Sequence, residues 1–250
     1  MSDRFTGKVI LITGATSGMG RAVAERVASE GAKVVLAARG RKAGAELAAA
    51  LPDAIFVPTD VTVEAEVAAL TRQAVEKYGR IDGAFNNVGA ATAMGPLTAV
   101  SGDAWSADLA LNLSSIFYSL KYEIPALEEA GGGAILNNAS NLGVTGAAGM
   151  ASYSAAKHGV VGLTRSAALD TARSSIRINA LVTGGVDTPL LRRNMGDTPE
   201  AALGAAADLH PVGRIARPEE IAAFAAFLLS DDAQFITGAA LAIDGGLTAA

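Results

Sequence analysis

The chain has no cysteine among its 250 residues, which excludes disulfides, thiol nucleophiles and metal sites built on cysteine. It has only 2 histidines, so we expect neither a metal site nor a histidine-based hydrolase. The formal net charge of -5 leaves no basic surplus to neutralise phosphates, which argues against nucleic acid as a partner. Aromatic residues make up 5% of the chain and hydrophobic residues 50%, so small aliphatic side chains must build the core.

Long hydrophobic runs are missing as well. Apolar stretches are broken by Gly, Asn or charged residues well before the roughly 18 to 20 residues that a membrane-spanning helix needs. The stretch MSDRFTGKVILITG is charged as far as Lys8 and then holds four aliphatic residues before a Thr-Gly turn. This pattern fits neither a signal peptide nor a membrane anchor, and we expect a cytoplasmic protein without a membrane partner.

Short apolar runs alternate with longer helical stretches along the chain. The runs that predict strands are 8–13, 33–38, 54–58, 81–86, 134–139, 176–182 and 239–244. They are continuously apolar, as expected for strands covered on both faces. Helical patterns occupy 21–32 and 64–79, and Gly79 is the expected C-cap of the second. This order predicts an α/β protein with a doubly wound parallel sheet.

One domain spanning residues 1–250 is expected, because we find no linker, repeat or low-complexity tract that would divide the pattern. Residues 188–217 differ from the rest, since they hold Pro189, Pro199 and Pro211 together with scattered charges. We predict that this segment forms a helical flap inserted between the last crossovers.

A glycine-rich turn, TGATSGMG at residues 13–20, joins the first predicted strand to the next helix. Gly14, Gly18 and Gly20 would let the backbone turn tightly and present N–H groups to a pyrophosphate at the helix N-terminus. The spacing is G-x-x-x-G-x-G, which departs from the commonest dinucleotide-binding pattern, and an ordinary strand–helix turn is the alternative interpretation. The position after the first strand favours nucleotide binding.

The end of the second predicted strand carries no acidic residue. A fold that binds NAD commonly places Asp or Glu there to bind the ribose 2′-hydroxyl, whereas this chain has Ala38 followed by Arg39. A cation at this position suits a 2′-phosphate, so the sequence predicts a preference for NADP(H), with NAD(H) possible. A solvated loop, RGRK, is the alternative interpretation.

The stretch SYSAAKHG at 152–159 places Tyr153 and Lys157 four residues apart, on one face of a helix. A tyrosine packed along a lysine on a solvated face would explain the pair equally well. A neighbouring ammonium favours a phenolate, so Lys157 and a positively charged nicotinamide ring would together lower the pKa of Tyr153. In an oxidoreductase that acts on a C–OH/C=O centre, such a tyrosine would serve as general acid/base. The pair alone does not decide between the two interpretations.

Taken together, these motifs resemble the short-chain dehydrogenase/reductase family across nearly the whole chain. TGATSGMG resembles its cofactor turn, NNVG (86–89) its Asn-Asn-Ala-Gly, and GGVDTP (184–189) the segment that closes over the nicotinamide. The resemblance implies a single-domain Rossmann fold with a doubly wound, seven-stranded parallel sheet and helices on both faces. It also implies an NAD(P)-dependent oxidoreductase that acts on a carbonyl or a secondary alcohol.

The resemblance also implies roles for individual residues. Tyr153 would exchange a proton with the substrate oxygen, Ser140 would bind that oxygen, and Lys157 would also hold the nicotinamide ribose. Asn112 would hold the water chain that resupplies protons. The implied cofactor-binding residues are Gly14, Thr16, Ser17, Gly18, Met19, Gly20, Arg39, Asp60, Val61, Asn87, Gly89, Tyr153, Lys157, Gly184, Val186 and Thr188. The chain departs from the family pattern where Thr183-Gly184 replaces a Pro-Gly step.

The substrate is expected to be a small, largely apolar ketone or secondary alcohol, because the predicted walls of its site are small and apolar. These walls are residues 142–151 and the part of the flap around Leu190, Leu191 and Met195. Two other functions remain open on the same fold: a dinucleotide-sensing regulator without enzymatic activity and an NAD-dependent alcohol dehydrogenase. A dehydratase or epimerase that uses the same tyrosine is a minor possibility.

An oligomer is expected because the helix that follows Tyr153 is small or apolar around much of its circumference. The sheet can cover only one side of that helix. We predict a homotetramer, or a homodimer.

Overall fold

The computed structural model describes residues 3–194 and 199–249 and contains one parallel sheet of seven strands. The strand order across the sheet is β3-β2-β1-β4-β5-β6-β7. The strands are β1 Val9–Thr13, β2 Lys33–Ala38, β3 Ala54–Pro58, β4 Gly83–Asn86, β5 Gly133–Asn138, β6 Ile176–Thr183 and β7 Ala240–Ile243. Each overlaps a strand predicted from the sequence. The predicted doubly wound α/β fold is therefore confirmed.

Helices connect consecutive strands and cover both faces of the sheet. The α-helices are α1 Gly18–Ser29, α2 Arg41–Ala50, α3 Glu64–Tyr78, α4 Gly102–Leu109, α5 Ser115–Glu129, α6 Ala151–Thr171, α7 Pro189–Asn194, α8 Pro199–Asp208 and α9 Pro218–Leu229. The sheet and its covering helices form a single domain. The helices α7 and α8 lie in the predicted flap, whereas Met195 lies outside the described residues.

Alternate residues of β1 contribute to two separate cores. Ile10 and Ile12 of β1 join the core formed with α1 and α9, whereas Val9 and Leu11 join the core formed with α3, α5 and α6. The predicted continuous apolar runs follow from this arrangement, because successive side chains of a strand point to opposite faces and both faces are buried. Because helices pack on both faces of the sheet, the carboxyl ends of its strands are held in fixed positions.

The first helix begins three residues earlier than the sequence pattern predicts. The helical pattern was expected over 21–32, but α1 begins at Gly18 and ends at Ser29. Gly18 has φ of +53° and Gly31 has φ of +93°, so glycine at each place lets the chain leave the ordinary helical conformation. The predicted cap of α3 is confirmed: Gly79 has φ of 80°, and its N–H donates to Val75 O at 2.7 Å.

A π-helical turn, Ala110–Ser114, joins α4 to α5. Such turns insert an extra residue into a helix and are frequent at functional sites. Asn112 lies in the middle of this turn and is completely buried. The turn therefore directs the predicted catalytic asparagine towards the interior, next to the carboxyl ends of the strands.

A buried carboxyl group, that of Glu123 on α5, lies behind the central strands. Its side chain is in the protein interior, and the residue is only 1% exposed. Asn86 Nδ2 donates to Glu123 Oε2 at 2.9 Å and to Asn137 Oδ1 at 3.1 Å, and Asn137 Nδ2 donates to Thr164 Oγ1 at 3.0 Å. Burial raises the pKa of Glu123 to about 7, although the bond from Asn86 opposes the shift.

Glu123→Gln should remove a pH dependence from the stability of the protein. Because the pKa of Glu123 is higher in the folded chain than its ordinary value of 4.5, the protonated group stabilises the fold fully below that value. This contribution is lost as the pH rises to about 7, and a shift of this size corresponds to about 3 kcal/mol.

Urea unfolding near pH 5 and near pH 8 measures this loss. The wild type should lose stability relative to Glu123→Gln between the two conditions. Glu129→Gln, an exposed change on the same helix, is the control and should follow the wild type. Parallel curves for the wild type and Glu123→Gln would contradict the prediction.

Candidate active site

Two adjoining cavities lie at the carboxyl ends of β1, β4 and β5. The inner cavity has a volume of about 410 Å³ and reaches Tyr153, and the outer cavity has a volume of about 480 Å³ and reaches Arg39. Both are lined by Gly14, Ser17 and Val88, so they form one groove across the glycine turn. In a doubly wound sheet this is where the strand order reverses and where dinucleotides bind.

The groove brings together most of the residues predicted from the sequence. The inner cavity is lined by Gly14, Ser17, Gly18, Met19, Asn87, Gly89, Ser140, Tyr153, Lys157, Gly184, Val186 and Thr188. The outer cavity is lined by Gly14, Thr16, Ser17, Arg39, Asp60 and Val61. Gly20 and Asn112 line neither cavity. These two residues support the groove from behind.

The glycine turn fits a pyrophosphate group in its local geometry. Gly14 has φ of +63°, and a Cβ atom on Gly20 would lie 2.3 Å from Gly14 O, so only glycine allows this close approach of helix and turn. Ser17 precedes α1 in an extended conformation, and within the described part of the chain no side chain caps this helix. The first N–H groups of α1 are therefore available to an anion in the groove.

Tyr153 and Lys157 lie on one face of α6, as predicted. Lys157 Nζ is 5.5 Å from the centre of the Tyr153 ring. The lysine is 1% exposed, and its ammonium donates to Asn138 O, at the end of β5, at 2.8 Å. Burial lowers the pKa of Lys157 to about 8. The pair is thus part of the site wall, and the solvated-face interpretation is wrong.

The pKa of Tyr153 depends on how deeply its phenol is buried. Burial raises the pKa of Tyr153 to about 12, and the charge of Asp108 adds to the rise, whereas a hydrogen bond with Ser140 lowers it. The half-buried ring faces the inner cavity with one edge. Among the protein's own groups, desolvation of the phenolate is the largest effect. These groups keep Tyr153 protonated. The lowering expected from Lys157 together with a positively charged nicotinamide ring stays a prediction.

Ser140 begins a short 3-10 turn, Asn141–Gly143, directly after β5. Its hydroxyl accepts from Leu142 N at 3.2 Å and donates to Asn141 Oδ1 at 3.1 Å. These bonds fix the hydroxyl at the wall of the inner cavity, beside the phenol of Tyr153. A substrate oxygen near Tyr153 would therefore lie within reach of both hydroxyl groups.

Asn112 supports the loop that follows β4. Its Nδ2 donates to Ala90 O at 2.8 Å and to Asp108 O at 3.0 Å, and its Oδ1 accepts from Ala90 N at 3.0 Å. A Cβ atom on Gly89 would lie 2.8 Å from Asn112 Oδ1 and 2.9 Å from Lys157 Nζ. Glycine at 89 thus allows the loop, Asn112 and Lys157 to pack against one another.

The outer cavity holds the end of β2. Ala38 is the last residue of that strand, and the exposed Arg39 follows it. Asp60, across the cavity, accepts from Thr62 N at 3.0 Å and from Thr62 Oγ1 at 2.7 Å. These two bonds lower the pKa of Asp60, and the nearby charge of Arg39 lowers it further. The cavity therefore contains one cation and one carboxylate.

His210 holds the segment after β6, a role that sequence reasoning missed. The residue is 5% exposed. Its Nε2 accepts from Gly185 N at 2.8 Å, and its Nδ1 lies 2.7 Å from Ala206 O. This pattern requires the neutral ring with the proton on Nδ1. His210 therefore fixes the place where Thr183 and Gly184 depart from the family pattern.

Two further findings concern the described residues as a whole. In residues 3–194 and 199–249, no group of three or more His, Cys, Asp or Glu residues could hold a metal ion. None of the helices in those ranges is long and apolar enough to cross a membrane.

Comparison with known proteins gives similarities along the whole chain. A family model described as Enoyl-(Acyl carrier protein) reductase matches residues 14–248. The 2,5-dichloro-2,5-cyclohexadiene-1,4-diol dehydrogenase of Sphingobium indicum is 43% identical, with 100% of each chain covered. The cyclohexanol dehydrogenase of an Acinetobacter species is 40% identical, with 99% of this chain and 98% of the relative covered. The crystal structure of levodione reductase matches with a TM-score of 0.96 and 38% identity, covering 99% of this chain and 100% of that chain.

Proposed function

The chain belongs to the short-chain dehydrogenase/reductase family and is an oxidoreductase of CH–OH/C=O groups, and we propose that it interconverts a small cyclic ketone and its alcohol with NADP(H). The observation that carries the proposal is the groove. Its inner end holds Ser140, Tyr153 and Lys157 on one wall, and its outer end holds Arg39. A dinucleotide lying across the glycine turn would reach both ends.

The proposed reaction divides the work between the cofactor and the side chains. A bound nicotinamide dinucleotide supplies or accepts the hydride. Ser140 turns its single O–H from Asn141 Oδ1 to the substrate oxygen. Tyr153 gives that oxygen a proton during reduction or takes one during oxidation. Lys157 uses one of its three N–H donors on Asn138 O and has the others for the nicotinamide ribose. A protonated phenol is the form that can give its proton to the substrate oxygen during carbonyl reduction.

The proposed substrate is a cyclic ketone or alcohol with a largely apolar ring. Leu142, Met150, Leu190 and Leu191 line the inner cavity opposite the polar groups, and apolar walls of this kind suit a ring with one reacting oxygen. The named relatives include a cyclohexanol dehydrogenase and levodione reductase, which supports a cyclic substrate. Residues 188–217 would act as the flap over this substrate.

A homo-oligomer, tetrameric or dimeric, and a cytoplasmic location stay predictions. Phe117 on α5 is 47% exposed and Leu169 on α6 is 80% exposed. A second copy that covers these two helices would remove both apolar side chains from water.

Tyr153→Phe should abolish turnover and leave cofactor binding nearly unchanged. The ring keeps its packing and loses only the hydroxyl that exchanges the proton, a role commonly contributing about 10²- to 10⁴-fold. Steady-state reduction of cyclohexanone and a fluorescence titration with NADPH measure the two effects. Tyr118→Phe, the same change outside both cavities, is the control. If Tyr153→Phe keeps more than about a tenth of the wild-type kcat, the proposed role is wrong.

The wild type should prefer NADPH to NADH, because Arg39 can bind the 2′-phosphate. Such a charge-assisted hydrogen bond contributes about 1.5–3 kcal/mol, or roughly 10- to 100-fold in affinity. Ala38→Asp should reverse the preference, since the new carboxylate repels the phosphate and accepts a bond from a free 2′-hydroxyl. Arg39→Ala should weaken NADPH binding and leave NADH almost unchanged.

The measurement is kcat/KM with each cofactor for the wild type, Ala38→Asp and Arg39→Ala. Arg41→Ala is the matched control, because Arg41 is also exposed but does not line the outer cavity. Equal losses with both cofactors in Arg39→Ala would make NAD(H) the better assignment. If Arg41→Ala selectively lowers kcat/KM with NADPH and Arg39→Ala does not, then Arg41 rather than Arg39 contacts the 2′-phosphate.

A further inference from the structure

Asp108, in the last turn of α4, is a completely buried acidic residue behind the inner cavity. Thr92 N lies 3.1 Å from its Oδ1, which also accepts from the Thr92 hydroxyl. Ser152 Oγ donates to its Oδ2 at 2.5 Å, and Ala93 N is 3.4 Å from the same oxygen. The four groups that bind this carboxyl group are thus two backbone N–H groups and two hydroxyls, all without charge.

The donors around Asp108 suit an ionised carboxylate. One backbone N–H points at each carboxyl oxygen, and an N–H can only donate, so both oxygens must act as acceptors. Two hydroxyl groups complete the set, and a hydroxyl can donate as well as accept. This arrangement is suited to an ionised carboxylate, which is an acceptor at every position.

The partners of Asp108 belong to separate parts of the active site. Thr92 lines the outer cavity, and the loop before it, Ala90 and Ala91, lines the inner cavity. Ser152 is the neighbour of Tyr153 in the first turn of α6. The backbone carbonyl of Asp108 also accepts from Asn112 Nδ2 at 3.0 Å. One residue thus connects the loop after β4, the π-helical turn and the helix that carries the phenol.

We propose that Asp108 is a positioning residue whose buried carboxylate ties the loop 90–93 to the start of α6 and places a negative charge behind the first turn of that helix, where Tyr153 lies. The proposal rests on the proposed function, in which Tyr153 exchanges a proton with the substrate. It adds a residue that none of the sequence motifs contains.

The charges around Tyr153 support an electrostatic effect of Asp108. The negative charge of Asp108 raises the pKa of Tyr153, as a nearby like charge disfavours the phenolate. On α6, the ammonium of Lys157 lies 5.5 Å from the ring centre, and the exposed His158 contacts Ser154 O through Nδ1 at 2.9 Å. On α4, Asp103 is exposed to solvent, where its charge is screened. Asp108 is therefore a buried acid whose charge acts on the phenol.

The test is the pH profile of kcat/KM for cyclohexanol oxidation by the holoenzyme. Activity rises with pH as Tyr153 loses its proton, and this part of the profile is its rising limb. Asp108→Asn keeps the size of the side chain and removes its charge, so the rising limb should move to lower pH by about one unit. Ser152→Ala keeps the charge of Asp108 but removes the hydroxyl group that donates to this carboxylate and partly offsets its charge. The rising limb should therefore move to higher pH. Asp103→Asn, an exposed change on the same helix, is the control and should leave the limb in place.

A second readout separates this proposal from the proposed function. The absorbance of the tyrosinate in the NADP⁺ complex, taken as the difference from the same protein carrying Tyr153→Phe, reports the ionisation of Tyr153 without turnover. If Tyr153→Phe keeps its activity, the proposed function fails, yet the absorbance still shows whether Asp108→Asn shifts the phenol.

If folded Asp108→Asn shows an unchanged rising limb and an unchanged tyrosinate titration, the proposal is overturned. This holds even if kcat/KM falls, because a purely structural role of Asp108 would lower kcat/KM without moving the pH profile. A shift of the same size in Asp103→Asn would also overturn it. If Asp108→Asn does not fold, the pH profile of Ser152→Ala is the test. A rising limb of Ser152→Ala at the same pH as in the wild type would overturn the proposal.

Discussion

The bond from the buried ammonium of Lys157 to the backbone carbonyl of Asn138 joins the sheet to the helix that carries Tyr153. An ammonium in the interior is costly unless hydrogen bonds compensate for lost water, so this contact fixes where α6 can lie against the end of β5. It also sets the distance between Lys157 and Tyr153. The glycine at 89 leaves the space that the ammonium needs. Much of the site geometry follows from these close contacts.

The same burial that fixes the geometry also controls the acid–base chemistry. Desolvation lowers the pKa of Lys157 to about 8 and raises the pKa of Tyr153 to about 12, so each group is pushed towards its neutral form. Asp108 acts in the same direction on the phenol. Among the protein's own groups, these effects favour the protonated phenol.

The strands were predictable from the sequence because continuous apolar runs identify strands covered on both faces, and the glycine turn indicated where a dinucleotide would bind. The pairing of Tyr153 with Lys157 followed from helix spacing alone. The contacts of Asp108 and His210 could not be predicted from helix spacing. The partners of Asp108 lie 16 and 44 residues away along the chain, and Gly185, the partner of His210, lies 25 residues away. The burial that raises the pKa of Tyr153 was not predictable for the same reason: desolvation depends on packing between distant segments.

Transfer of deuterium from the cofactor to the substrate is the most direct test of the central claim, that the groove carries a hydride to a carbonyl carbon beside Tyr153. The wild type would reduce cyclohexanone with NADPH deuterated at C4 of the nicotinamide, on the face that the enzyme uses, and mass spectrometry would locate the label in the product. The account predicts one deuterium on the carbinol carbon of cyclohexanol in each turnover. Cyclohexanol formed without label, when each face of the nicotinamide has been deuterated in turn, would contradict it.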